Sequence, residues 1–100
     1  MSSSNIQTVT KAADASAVLG RCRLLGVYFT NTATGSSFSL KDGSTSGGTS
    51  KLTITTPAVA GAQDLFIPDA GILFENGIFI DVASVNVTSV TLFFEGGAAQ

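Results

Sequence analysis

The sequence predicts an all-β protein, an antiparallel β-sandwich or jelly-roll-like domain of about seven or eight short strands. Short runs such as "KLTITTP" and "SVTLFF" alternate apolar with polar residues, the period of a half-buried strand. Clusters of Gly, Ser, Asp, Asn and Pro separate these runs. Only Ala12 to Gly20, "AADASAVLG", has helix-forming composition, and it is too short to hold as a helix by itself.

In chain order, residues 1–10 are expected to be a flexible N-terminal arm, 11–97 a single sandwich domain and 98–100 a loose tail. Within the arm, Ile6 and Val9 are possible anchors. Ala12 to Gly20 is read as extended or irregular, since Ala13, Ala15 and Ala17 suit period-two packing of small side chains. "GRCRLLGVYFTNT" follows as a strand. Strict alternation puts Cys22, Leu24 and Tyr28 on one face and Arg21, Arg23, Leu25, Val27 and Phe29 on the other. Gly26 is placed to host a bulge that switches this phase. "SSFSLKDGS" is a shorter strand with Phe38 and Leu40 on one side, and "GSTSGGTS" is a flexible polar loop. Leu52 and Ile54 point inward from the next strand, Thr53 and Thr55 outward. "DLFIP" is a short strand stopped by Pro68. The last strand has Val90, Leu92 and Phe94 alternating with Ser89, Thr91 and Phe93.

The stretch "GILFENGIFIDV", Gly71 to Val82, reads as a β-hairpin turning at Asn76-Gly77, the pair that suits a type I′ turn. A two-residue turn there sets Phe74 opposite Phe79 and Leu73 opposite Ile80. One face then carries Leu73, Ile78, Ile80 and Val82, and the other Ile72, Phe74 and Phe79. Both faces are apolar, which one sandwich interior does not cover.

Composition points the same way. The chain has 100 residues, one domain's worth, with 44% hydrophobic and only 12% charged residues. Such a chain lacks the charged surface that keeps a free monomer dispersed, and suits a protein covered by neighbours. With a net charge of −2 and five scattered Lys and Arg, it offers no basic stripe for nucleic acid. No apolar run approaches the ~20 residues of a membrane-spanning helix. "MSSSNIQTVTK" shows no secretory pattern, so synthesis and folding in a cytoplasm are expected.

Catalytic chemistry finds few candidates. The chain has no His and one Cys, so a Cys–His nucleophile is excluded, and neither a nucleophile elbow nor a phosphate-binding loop is present. Asp64 and Asp69 flank "LFIP", yet turn carboxylates of this kind ordinarily cap backbone amides. No Trp and a single Tyr disfavour a sugar platform, whereas seven Phe supply apolar mass for a core or a protein interface. The expectation is a non-enzyme with no cofactor, metal or small-molecule substrate.

The segments "RLLGVYFTNT", "FSLKDGSTSGGT", "LTITTP", "DLFIPDAGILFENGIFIDV" and "NVTSVTLFFEGG", spanning about residues 20–97, resemble small β-sandwich virion proteins of tailed bacteriophages. "IPDAGILFENGIFIDV" is the most specific part. The resemblance implies a capsid decoration (cement) protein, or another small virion component such as a tail, connector or fibre part. It implies a homo-oligomer bound to the major capsid protein at the capsid surface, and carries no active-site residues. A host- or glycan-binding module is the more distant alternative. Leu25, Val27, Phe29, Phe74 and Phe79 are the candidate subunit contacts, each equally placed to be core. Asp81 is expected to pair across the interface with Arg21 or Arg23.

Overall fold

The computed structural model describes residues 6–68, 70–82 and 85–100. Its regular structure is eight strands: β1 (Gln7–Lys11), β2 (Ala15–Asn31), β3 (Ser37–Asp42), β4 (Thr49–Thr55), β5 (Gly61–Phe66), β6 (Ile72–Phe74), β7 (Gly77–Val82) and β8 (Val87–Ala99). All pairings are antiparallel. The result is the small β-sandwich-like fold expected from the alternation.

β2 is the spine. One of its edges is taken by β8, and the other is shared end to end by β7, β6 and β5. From β7 the sheet continues through β3 to β4, and beyond β8 lies β1. A strand of 17 residues cannot stay flat, because strands twist and bulges sharpen the twist. Its pairing with β8 shifts register between Leu19 and Cys22 and again between Leu24 and Gly26. The second shift is the bulge expected at Gly26: buried positions are Cys22 and Leu24 before it and Val27, Phe29 and Asn31 after it. The bend lets β7, β3 and β4 fold across the far half of β2. Phe29 of β2 meets Phe38 of β3 edge-on, with ring centroids 5.3 Å apart, although those segments share no ladder.

Between these layers lies one core, built around Phe38, Phe74, Phe94, Leu24, Leu40, Ile78, Ile80 and Leu92, all without solvent exposure to speak of. At roughly 25 cal/mol per Å² of apolar area, each contributes about 2 kcal/mol or more on burial.

Asn76-Gly77 makes no hairpin, and this is the main correction to the sequence reading. β6 and β7 do not pair with each other; both run along β2, in one register from Leu24↔Ile72 to Leu19↔Gly77. The ladder is interrupted at Glu75 and Asn76, whose amides donate instead to the Asp42 carboxylate at 3.2 and 2.8 Å. Gly77 is required by close approach. A Cβ there would stand 2.4 Å from the Val18 carbonyl oxygen, on a backbone with φ of 118°. With no reversal, simple alternation continues from residue 72 to 82. Phe74, Ile78 and Ile80 face inward and are buried, with Ile72 and Val82 packed against them. Leu73, Glu75, Phe79 and Asp81 take the other side. The two-sided apolar hairpin was a product of the assumed turn.

The ends are corrected as well. Residues 1–5 of the expected arm lie outside the described residues, but Gln7–Lys11 is a strand paired with β8. The expected loose tail is strand to Ala99, and the Gln100 amide donates to the Ala17 carbonyl at 2.9 Å.

Candidate assembly surface

With the hairpin gone, an apolar outer surface has to be sought elsewhere. The outside of β7, β3 and β4 is polar: Ser39 and Thr53 hydroxyls bond at 3.0 Å, and Lys41 donates to Asp81 at 2.7 Å. Phe79 is the large apolar side chain there, half-buried between its ladder neighbours Lys41 and Ser16.

The outside of β5, β2, β8 and β1 is different. Register aligns Phe66, Gly26, Phe93 and Thr8 in one row, and Asp64, Tyr28, Thr91 and Thr10 in the next. The Phe66 and Phe93 rings lie 6.3 Å apart, with the glycine between them. A Cβ at Gly26 would come within 3.1 Å of the Phe66 ring, so the missing side chain is what lets the ring lie over β2. Phe66 remains 69% exposed and Tyr28 41%. Hydroxyl pairs surround them, Thr10 with Thr91 at 2.8 Å and Thr30 with Ser89 at 2.7 Å. An aromatic cluster in a hydroxyl field is a contact surface of the kind protein interfaces use.

This surface ends on an open edge. β5 pairs only with β2 among the described strands, and all six of its residues are exposed. Edge strands are ordinarily protected by lysine, proline or a bulge. β1 carries Lys11 and β4 carries Lys51, whereas β5, "GAQDLF", carries neither lysine nor proline and a single charge, Asp64.

The sequence-derived contact residues distribute unevenly. Val27, Phe29 and Phe74 are at most 2% exposed and belong to the core, so they offer no surface to a partner. Leu25, at the bulge, and Phe79 are half-buried. Arg21 is exposed and Arg23 half-buried; they line a small hollow of about 230 Å³ with Cys22, Leu73, Glu95 and Gly96. Asp81 is not near them in the ladder: its partner is Lys41, within the chain. Phe66 and Tyr28 were missed. "DLFIP" looked like any buried strand, and the only signal was Gly26, whose meaning depends on which residue comes to lie over it.

Other chemistry is sparse. Cys22 is buried, and burial followed by the neighbouring Asp42 charge pushes its thiol up to about 11. A thiol so held is poorly nucleophilic. Among the described residues no group of three or more His, Cys, Asp or Glu is arranged to hold a metal. Asp69 lies outside them, so a pairing of Asp64 with Asp69 is not described. An open hollow of about 590 Å³ lies between Ala12–Asp14 on one side and Val82, Val85, Val87 and Thr88 on the other. Its one carboxylate, Asp14, accepts the Val82 amide at 2.7 Å. Among the described residues no helix is long and apolar enough to cross a membrane. Compared with known protein families, curated proteins and solved structures, the chain matches none.

Proposed function

We propose that this chain is a structural protein of a virion, a decoration (cement) protein that self-associates on the head shell and reinforces it. The observation that carries this reading is the Phe66–Phe93–Tyr28 surface running out to an edge strand with both faces and its outer edge exposed. A charged share of 12% and the resemblance to small phage β-sandwich proteins support it. In this reading the mechanism is non-covalent: apolar area is covered at contacts between copies and with the major capsid protein. Many weak contacts add up around a shell through effective concentration. The chain's accessible surface, 5084 Å², is close to the ~5,300 Å² of a free monomer of this mass, so the contacts are grafted onto a self-sufficient fold.

The test is sedimentation of the purified protein with empty heads of a tailed phage. Co-sedimentation that saturates with added protein is the expected result, lost on Phe66→Asp while the variant keeps its β-sheet circular dichroism. Rings that form without binding heads would move the protein to the tail or connector. A chain that binds no virion part would end the reading.

A further inference from the structure

We infer that two copies of this chain join through β5, extending the sheet across a two-fold axis centred on Gln63. The inference rests on the reading of the chain as a self-assembling protein and names the edge that does it.

The backbone selects which groups are on offer. The Ile67 amide donates to the Leu25 carbonyl at 3.0 Å, continuing the β5–β2 ladder. Backbone direction alternates along a strand, so Gln63 and Leu65 also turn their amides to β2, whereas Ala62, Asp64 and Phe66 turn theirs to the open edge. A second β5 running antiparallel must satisfy those outward groups.

Charge and size then choose the register. In a continuous sheet with a perpendicular two-fold axis, facing residues share a side of the sheet, which restricts the centre to a residue position. Centring on Asp64 would set two carboxylates directly opposite each other, which is destabilising. Centring on Gln63 sets Asp64 opposite Ala62, Leu65 opposite Gly61 and Phe66 opposite Ala60, just ahead of the strand. Each large side chain meets a small one, and the two Gln63 amides can each donate to and accept from the other. The exposed Val59 falls opposite Ile67.

The area predicts a weak union. Six residues span about 20 Å, and the molecule's smallest dimension is 20 Å. That wall is on the order of 400 Å² per partner, about half a standard interface. Dimerisation is therefore expected only at high concentration, or where a shell holds copies side by side.

The test is sedimentation equilibrium of the full chain up to about 1 mM, with one pair of crosslinking variants and one pair of charge variants. Gln63→Cys is expected to form an intermolecular disulfide on mild oxidation, because the facing residues form a close pair with Cα atoms about 4.5 Å apart. Leu65→Cys is expected to stay unlinked, since its counterpart lies four residues along; the native chain, with only buried Cys22, is the control. Ala62→Lys, which sets a cation against Asp64 at two symmetric places, is expected to tighten the dimer about fivefold. Ala62→Asp is expected to weaken it by a similar factor, and a folding defect cannot produce opposite signs from one exposed site. A strictly monomeric chain, a Leu65 crosslink, or Ala62 variants that leave the constant unchanged would each overturn the inference. Head binding by a chain that fails these tests would leave the decoration reading standing. A Gln63-centred dimer that binds no head would do the reverse.

Discussion

Phe74 and Phe79 give the sharpest test of how Gly71 to Val82 runs. In a hairpin turning at Asn76-Gly77 the two rings are direct neighbours on one face and share one fate. Along β2 they lie on opposite faces: Phe74 has no solvent exposure, and Phe79 is half-buried beside Lys41 and Ser16. Phe74→Ala removes a fully enclosed ring and leaves a cavity, which costs about 3–5 kcal/mol. For a domain of this size each kcal/mol moves Tm by about 4–8 °C, so a fall of about 12–40 °C is expected. Phe79→Ala strips a half-covered ring from the outer face, opens no cavity, and is expected to cost about 1 kcal/mol. Urea unfolding followed by far-ultraviolet circular dichroism reads both, with unchanged m-values showing that stability alone has moved. Phe74→Asp should fail to fold while Phe79→Asp folds. Equal losses at the two positions, or a larger loss at Phe79, would refute the register along β2.

Asp42→Ala removes the acceptor of the Glu75 and Asn76 amides at 3.2 and 2.8 Å. Because these bonds lie near solvent, water replaces part of them, and a loss of about 1–2 kcal/mol is expected, with faster hydrogen exchange at those two amides. Asn31 is buried, and its Nδ2 donates to the carbonyls of Thr32, Pro57 and Val59 at 2.7, 3.2 and 2.9 Å. Asn31→Ala is expected to cost about 2–3 kcal/mol and to open the 57–60 segment to limited proteolysis. Cys22, raised from 9.0 to about 11, ionises in the unfolded chain before it does in the fold. Its contribution is thus fully present below pH 9 and is lost as pH rises from 9 to 11, on the order of 2–3 kcal/mol. Comparing alkaline unfolding of the native chain with that of Cys22→Ala isolates this share, since the variant should lose less stability over that interval.

Much of the fold is legible in the residues because alternation is a local signal. Leu52 and Ile54, Phe38 and Leu40, and Val90, Leu92 and Phe94 all face the side that period two assigns them. The bulge at Gly26 was legible for the same reason, since a glycine inside an apolar strand has few other uses. The assembly surface was less legible: neither Phe66 nor Tyr28 differs in local pattern from a buried aromatic.

Element type, the inward side of most strands and the phase switch at Gly26 follow from residue order alone, because side-chain direction along an extended chain depends only on near neighbours. The path of Gly71 to Val82 did not. Asn76-Gly77 favours a reversal locally, but β2 supplies a full-length edge and Asp42 captures the Glu75 and Asn76 amides, the first of which a turn would have paired with Ile78. Strand pairing is a competition among distant segments for the same hydrogen-bonding groups, and the winner depends on which edges the rest of the chain leaves open. The same competition leaves β5 with a free edge and Phe66 in solvent.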